Sequence, residues 1–185
     1  EFGPRPEDVI VFGADFNVGK SKSVYGVMRS EFAGSVLHIY HEHNAGDTYA
    51  LANYLQQTYP DQIATGRLIC YPDATGNRDY TTSTETDHDI LRNAGVRVVV
   101  ERSNPSPFET ISHANNMFHQ GRIKVNPATC RELCECLEHW GYDENYKPRK
   151  GGKNDLSNIG DAFRYLAWNA LPRPGSGTSA TRRWR

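Results

Sequence analysis

Three aspartates stand where a carboxylate could take part in chemistry: Asp15, Asp73 and Asp161. The first two end apolar runs, VIVFGAD and RLICYPD, and the third lies near the start of the amphipathic segment SNIGDAFRYLAWNAL. Three converging carboxylates repel one another unless a hard cation neutralises them, and oxygen ligands suit Mg²⁺ or Mn²⁺. Two such ions about 3.5–4 Å apart would clamp the attacking and leaving oxygens of a phosphodiester displacement. The pattern suggests metal-dependent hydrolysis of a nucleic-acid strand, although each aspartate taken alone is more often a turn or cap residue.

The segments around these aspartates predict an α/β fold with a mixed sheet. VIVFGADF, VYGVMR and SVLHIYHEH read as three antiparallel strands, with a turn at 31–34 before the third. A helix capped by Asp47 follows, then the strand that ends at Asp73 and a helix closed by Gly95. The sheet is therefore expected to have an antiparallel start.

The second half predicts more helix than strand. VRVVVER is expected to be a strand buried on both faces, followed by the helix FETISHANNMFHQG and the short strand RIKVN. Asn126 and Pro127 are typical of a helix start, which predicts a helix through NPATCRELCECLEHW. The last helix carries Ile159, Phe163, Leu166 and Ala170 along one stripe.

Length and composition indicate one globular domain. The chain has 185 residues, 37% hydrophobic and 23% charged, and no apolar run long enough to span a bilayer. We expect a folded domain at 9–171, a flexible segment or cloning scar at 1–8 and a flexible tail at 172–185. A net charge of −1 gives no global attraction to nucleic acid, so any such contact must depend on local basic patches or metal ions.

The four cysteines invite a zinc interpretation that their spacing does not favour. Cys130, Cys134 and Cys136 cluster in CRELCEC, without a CxxC pair or a second cluster. Cys130 and Cys134 are one helical turn apart and are expected to face the same way as Leu133 and Leu137. Reduced thiols within the core are the favoured interpretation.

Three motifs, in order and spacing, resemble the nuclease domain of tailed-bacteriophage large terminase subunits. They are GADFNVGKSKSVYGV, LICYPDATGNRDYTTSTETDHDILRNAGV and NIGDAFRYLAW, and the resemblance covers about residues 9–171. It implies a ribonuclease-H/integrase-like mixed sheet, antiparallel in its first three strands and flanked by α-helices. It also implies that Asp15, Asp73 and Asp161 are the catalytic, metal-binding residues, with two Mg²⁺ or Mn²⁺ ions.

One position departs from that resemblance. Family members often carry His three residues before the last aspartate, where this chain has Asn158. An asparagine can orient a water molecule or bind a cation through its carbonyl oxygen, but it cannot exchange a proton near neutral pH. Asp155 is a possible substitute, although a helix-start cap is the favoured role for it.

The resemblance implies a DNA endonuclease that cuts concatemeric phage DNA when packaging begins and ends. Its implied partners are double-stranded DNA, an N-terminal ATPase domain of the same protein, the small terminase subunit and the portal. The expected location is the host cytoplasm, transiently at the procapsid portal. Backbone contacts with DNA would come from basic residues near the site, for which the candidates are Lys20, Lys22, Arg78, Lys147, Arg149, Lys150 and Lys153.

Two other functions remain open. The stretch from Ala14 to Ser21 nearly matches a phosphate loop, in which Lys20 and Ser21 would bind ATP and Mg²⁺; such a loop must open a helix, whereas SVYGVMR favours a strand. The chain could instead be a non-catalytic nucleic-acid-binding domain with structural carboxylates. His38, His41 and His43 suggest a transition-metal site only weakly, because no third ligand joins the two that share a face.

Overall fold

A mixed six-stranded sheet forms the centre of the described molecule. The computed structural model describes residues 3–16, 21–31, 34–77, 85–141, 143–144, 148–149 and 155–173. Within these ranges the strand order is β5-β4-β1-β2-β3-β6. The strands are β1 (Ile10–Asp15), β2 (Ser21–Glu31), β3 (Gly34–Ala45), β4 (Leu68–Pro72), β5 (Arg97–Val98) and β6 (Ile123–Val125).

Helices connect these strands and cover both faces of the sheet. They are α1 (Thr48–Thr58), α2 (Pro60–Ala64), α3 (Asp87–Asn93), α4 (Pro107–His119), α5 (Arg131–His139) and α6 (Ser157–Ala170), with a 3-10 turn at Ala74–Asn77. In the described part of the chain, no helix is long and apolar enough to cross a membrane.

The strand directions confirm the predicted antiparallel start. β1 pairs antiparallel with β2, and β2 pairs antiparallel with β3. β4 lies parallel to β1 on its other side, with Ala14 opposite Pro72, and β5 and β6 add parallel edge strands. Because β1 and β4 run in the same direction, their carboxyl ends meet at one edge of the sheet.

Alternate side chains of the central strands supply two separate cores. On β1, Val11 packs with α4, α5 and α6, whereas Phe12 packs with α1 and α3 on the opposite face. Both side chains are fully buried. This period of two is the ordinary geometry of a strand that is covered on both faces.

Several residues predicted to begin or end helices have those roles in the structure. The Asp47 side chain caps α1 by accepting a hydrogen bond from the backbone N–H of Ala50 at 2.7 Å. Gly95 follows α3 with a φ of 88°, a left-handed conformation that only glycine adopts without strain. The predicted α4, β6 and α6 are confirmed, and the α6 stripe of Ile159, Phe163, Leu166 and Ala170 is buried.

Two predicted elements are shorter in the structure. The valine-rich segment forms only the two-residue edge strand β5, and Val99 beyond it is 38% exposed because, within the described ranges, no strand pairs on its outer side. The helix expected to start at Asn126 begins at Arg131. Asn126 instead stabilises a preceding turn, in which its side-chain oxygen accepts from the N–H of Ala128 at 3.1 Å.

The cysteines are not joined to one another. Cys70, Cys130 and Cys136 are buried, as expected for core thiols, and Cys134 is half-buried. The predicted orientation of the cluster is wrong in one respect: Leu137 is 41% exposed, and Cys136 takes the inward position beside Leu133.

The segments predicted to be flexible are only partly described. Residues 1–2 and 174–185 lie outside the described ranges. Within the remainder of 1–8, Asp8 accepts a hydrogen bond from Arg29 of β2 at 2.5 Å, and the carbonyl of Gly3 accepts another from Arg29 at 3.1 Å. These contacts hold part of the segment against the sheet.

Candidate active site

Asp15 and Asp73 lie side by side at the edge where β1 and β4 end. Asp15 is the last residue of β1, and Asp73 directly follows β4. The backbone N–H of Asp73 donates to the carbonyl of Ala14 at 3.0 Å, which extends the parallel pairing one residue past β4. Alternation places Asp15 on the same face as Val11 and Asp73 on the same face as Tyr71, which is the face that α6 covers.

Asp161 reaches this edge from α6, which packs directly on β1. A methyl group at Gly13 would lie 1.9 Å from the carbonyl oxygen of Ala162, so only a glycine admits the helix at this distance. Asp161, the residue before Ala162, is 4% exposed, and Asp15 is 6% exposed. Because Gly13 has no side chain, α6 packs close to β1, and this brings Asp161 towards Asp15 and Asp73.

The hydroxyl of Tyr165 lies within the electrostatic influence of all three carboxylates. Burial is the main reason that the pKa of Tyr165 is raised, and the negative charges of Asp73, Asp161 and Asp15 raise it further. The Arg164 guanidinium opposes this effect. The charges of Asp15, Asp73 and Asp161 thus all act on the Tyr165 hydroxyl, in agreement with the strand pairing and the α6 contact that bring β1, β4 and α6 together.

The Asp73 carboxylate is held by a tight turn. Its Oδ1 accepts from the backbone N–H of Thr75 at 2.8 Å, and its Oδ2 accepts from the Thr75 hydroxyl at 2.6 Å. Oδ1 also accepts a short hydrogen bond from the side-chain amide of Asn104. Asp73 thus has the turn contacts expected of a structural aspartate as well as its place beside Asp15.

Asp161 is paired with a buried arginine on the same helix. Arg164 Nε donates to Asp161 Oδ1 at 2.6 Å, and both side chains are almost fully buried. The same guanidinium donates to the Tyr165 hydroxyl at 2.9 Å, the Pro105 carbonyl at 3.3 Å and the Thr110 hydroxyl at 3.4 Å. These four contacts offset the cost of burying the charge of Arg164.

A buried histidine of α3 hydrogen-bonds the backbone of the turn after β4. His88 of α3 has no exposed surface, and its Nε2 lies 2.8 Å from the Asp73 carbonyl oxygen, an acceptor that requires the hydrogen on Nε2. Burial lowers the pKa of His88, against a smaller opposing effect of this hydrogen bond. The neutral imidazole therefore stabilises the Asp73 backbone and adds no positive charge beside the aspartates.

The donor chemistry of the three aspartates fits a hard divalent cation. Carboxylate oxygens are the ligands that Mg²⁺ and Mn²⁺ prefer. Among the described residues, however, no group of three His, Cys, Asp or Glu side chains is placed to hold a metal ion. Asp161 accepts from Arg164 and Asp73 accepts from Thr75, so hydrogen bonds occupy part of the lone pairs that a cation would use.

The two predicted auxiliary residues lie at the start of α6. Asn158 is half-buried, one helical turn before Asp161. The carboxylate of Asp155 accepts from the backbone N–H of Ser157 at 2.9 Å, a local turn contact one residue before Leu156, the N-cap of α6. Asn158 is thus the nearer of the two to Asp161 along the helix.

Two of the seven predicted DNA-contacting cations lie in the described residues. Lys22 is 7% exposed, lies opposite Asp15 at the start of β2, and its ammonium donates to Glu132 of α5 at 2.7 Å. Its predicted contact with DNA stays a prediction. Arg149 is exposed, with its backbone held by Gly141 and by the indole of Trp140. The other five, Lys20, Arg78, Lys147, Lys150 and Lys153, lie outside the described residues.

The structure disfavours the phosphate-loop alternative. Ser21 begins the eleven-residue strand β2, whereas a phosphate loop opens a helix whose N-terminus binds the phosphates. Residues 17–20 lie outside the described ranges. The histidines of β3 also have other contacts: His38 pairs with Glu31, His41 bonds the Tyr54 hydroxyl at 2.8 Å, and His43 stacks on Tyr54 at 3.7 Å.

Sequence reasoning missed Asn104, Arg164 and Tyr165. The spacing of Arg164, three residues after Asp161, is that of an ion pair on one helix face, so a signal was present. Asn104 has no comparable signal, because it belongs to the irregular segment between β5 and α4 and meets Asp73 across 31 positions of the chain.

Comparison with solved structures shows where this fold occurs. The nuclease domain of the P22 large terminase superposes with a TM-score of 0.63 at 14% identity, covering 88% of this chain and 81% of that domain. The g2p (large terminase) nuclease domain of bacteriophage SPP1, solved with bound Mn, gives 0.58 at 16% identity, covering 88% and 86%. The large terminase of a thermophilic bacteriophage gives 0.63 at 16% identity, covering 91% of this chain and 41% of that protein.

Sequence comparison adds no closer relative. No protein-family profile matches the chain, and no curated protein matches it by sequence. At identities of 14–16%, the three structures establish a shared fold. The predicted resemblance to terminase nuclease domains is therefore confirmed at the level of the fold, as is the predicted mixed sheet with its antiparallel first three strands.

Proposed function

We propose that this chain is the metal-dependent DNA endonuclease domain of a phage large terminase subunit. The observation that carries the proposal is that β1 and β4 place Asp15 and Asp73 side by side at one sheet edge, and that α6 packs on β1 at Ala162, the residue after Asp161. The fold shared with terminase nuclease domains supports it, as does the bound Mn of the SPP1 domain. The proposed reaction is hydrolysis of the phosphodiester bond by water, which leaves 5′-phosphate and 3′-hydroxyl ends.

In this proposal the three aspartates hold two Mg²⁺ or Mn²⁺ ions. Bound there, the ions would lower the pKa of the attacking water and stabilise the leaving oxygen. The protein supplies the rest: Gly13 admits α6, the Asp73 turn fixes one ligand, and Arg164 balances the negative charge. Asn158 would orient a water molecule or contribute a carbonyl oxygen.

The wider role follows from the same proposal. The domain would cut concatemeric DNA at the beginning and end of packaging, in the host cytoplasm and transiently at the procapsid portal. An N-terminal ATPase domain, the small terminase subunit and the portal would be its partners. Because this chain spans 41% of the large terminase from the thermophilic bacteriophage, a longer parent protein is consistent with that structure.

Plasmid cleavage tests the proposal. Supercoiled DNA is incubated with the domain in EDTA, Mg²⁺ or Mn²⁺, and nicked and linear products are followed on a gel. We expect cutting only with metal. The cutting rate should fall by at least about a hundredfold in Asp15→Asn, Asp73→Asn and Asp161→Asn, because losing a residue that only supports a metal ligand already costs 10–100-fold in metal affinity or activity. Asp61→Asn, which makes the same change at an exposed position on α2, should cut like the wild type.

Three results would contradict the proposal. Cutting that survives Asp73→Asn would place the chemistry elsewhere, provided that circular dichroism shows the variant to be folded. Loss of function in Lys20→Ala with activity retained in the aspartate variants would favour the phosphate-loop alternative. DNA binding without cutting in any metal would favour a non-catalytic nucleic-acid-binding domain.

A further inference from the structure

Asn104 joins the candidate site from the segment between β5 and α4. Its side-chain amide donates to Asp73 Oδ1, and its side-chain oxygen accepts from the backbone N–H of Ala74 at 2.8 Å. The half-buried side chain therefore binds both the carboxylate of Asp73 and the peptide group that follows it. A purely structural cap for the turn needs only the second of these contacts.

The same segment reaches the second carboxylate through its next residue. The carbonyl of Pro105 accepts from Arg164 at 3.3 Å, and Arg164 in turn donates to Asp161 at 2.6 Å. Asn104 and Pro105 thus connect the end of β4 with α6, which are separate elements that contribute one aspartate each. The segment is therefore placed to fix the position of Asp73 relative to Asp161.

The hydrogen bonds of Asp73 show which oxygen remains for a cation. A carboxylate offers about four lone-pair positions. Thr75 N–H and Asn104 occupy Oδ1, and the Thr75 hydroxyl occupies one position on Oδ2. Asn104 therefore fills the second lone-pair position of Oδ1, so the position that remains for a cation is on Oδ2.

We propose that Asn104 is a positioning residue that fixes the rotation of the Asp73 carboxylate for metal binding. This inference rests on the proposed function. Metal-binding carboxylates are themselves hydrogen-bonded, and the loss of such a partner typically costs 10–100-fold in metal affinity or activity. Asn104 does not contact the reacting atoms in this proposal and acts only through Asp73.

The test compares Asn104→Ala with Asn116→Ala, which removes the same amide from an exposed position on α4. Mn²⁺ binding to the DNA-free domain is measured by electron paramagnetic resonance, and plasmid cleavage is measured over a range of Mn²⁺ concentrations. For Asn104→Ala, the dissociation constant for Mn²⁺ and the Mn²⁺ concentration at half-maximal cleavage should rise about 10–100-fold. Most of the cleavage rate should return at saturating Mn²⁺, and Asn116→Ala should match the wild type.

Unfolding in urea, without metal, separates positioning from simple stability. A merely structural Asn104 would lower the unfolding midpoint and leave the Mn²⁺ titrations of the folded variant superimposed on those of the wild type, which would overturn the proposal. Asn104→Ser, whose hydroxyl is too short to reach Asp73, replaces the alanine variant if that variant does not fold. A wild-type domain that neither binds Mn²⁺ nor cuts DNA would overturn the proposed function, and this inference with it.

Discussion

His113 of α4 is a buried imidazole that should make folding depend on pH. It is 4% exposed and packs edge-on against Trp168, with ring centroids 5.4 Å apart. Burial is the main cause that lowers the pKa of His113. Below about pH 6.5 the unfolded chain therefore binds a proton that the folded chain resists, so stability should fall as the pH decreases from 7.5 to 5.

His113→Phe keeps an aromatic ring beside Trp168 and removes the titration. Urea unfolding at several pH values should show a shallower loss of stability in the variant, by up to about 1.4 kcal/mol per pH unit for one proton. Some dependence should remain, because burial also lowers the pKa of His41 and His43. Parallel pH profiles for the two proteins would contradict the predicted role of His113.

At the residue scale, the sequence identifies the aspartates but not their partners. Asp15 and Asp73 could be predicted because each follows a recognisable strand, and Asp161 because it lies in a recognisable helix. For Lys22, the neighbouring residues do not reveal Glu132, which pairs with it across 110 positions of the chain. Such partners depend on the tertiary fold.

At the element scale, the contact between β1 and α6 is the one on which the candidate site depends. In Gly13→Ala the new methyl group would meet the backbone of Ala162, which cannot move without moving α6. Overpacking a core typically costs 1–3 kcal/mol, and a backbone clash belongs at the upper end, so we expect a loss of about 3 kcal/mol in urea unfolding. Cleavage should fall further than stability explains, because Asp161 moves with the helix.

Gly46→Ala is the matched control for this change. Nothing lies within 4 Å of a methyl group at Gly46, so the stability of this variant should stay within about 0.5 kcal/mol of the wild type. Equal stability of the two glycine variants would show that α6 adapts to the added methyl group. Asp161 would then not depend on Gly13 for its position.

Hydrophobic pattern predicted these elements unevenly. The hydrophobic stripe on α6 predicted which face of the helix points into the core. In the structure almost the whole helix is buried, because β1, β2, α4 and α5 surround it. The valines after Gly95 are equally compatible with a central strand and with an edge strand. Within the described residues, β5 is a short edge strand that pairs with β4 alone. Strand length is set by the partner strand, which local sequence does not specify.

At the scale of the whole molecule, the two cores share one sheet and should unfold together. Cys70 lies in the core beneath α1 and α3, and Cys136 lies in the core beneath α4, α5 and α6. Because the central strands supply alternate side chains to both cores, losing either one exposes the strands of the other. Unfolding of a domain of this kind is expected to be a single cooperative transition.

Thiol labelling can test this prediction at both cores in the same sample. Burial raises the pKa of Cys70 and raises that of Cys136 to about 12, so at pH 8 both thiols should react only after unfolding, whereas the half-buried Cys134 should react first. Pulsed alkylation along a urea gradient, read by mass spectrometry for each cysteine, should give one midpoint for Cys70 and Cys136. A lower midpoint for Cys136 would mean that the α4–α6 layer detaches first, taking Asp161 away from Asp15 and Asp73 while the rest of the sheet remains folded.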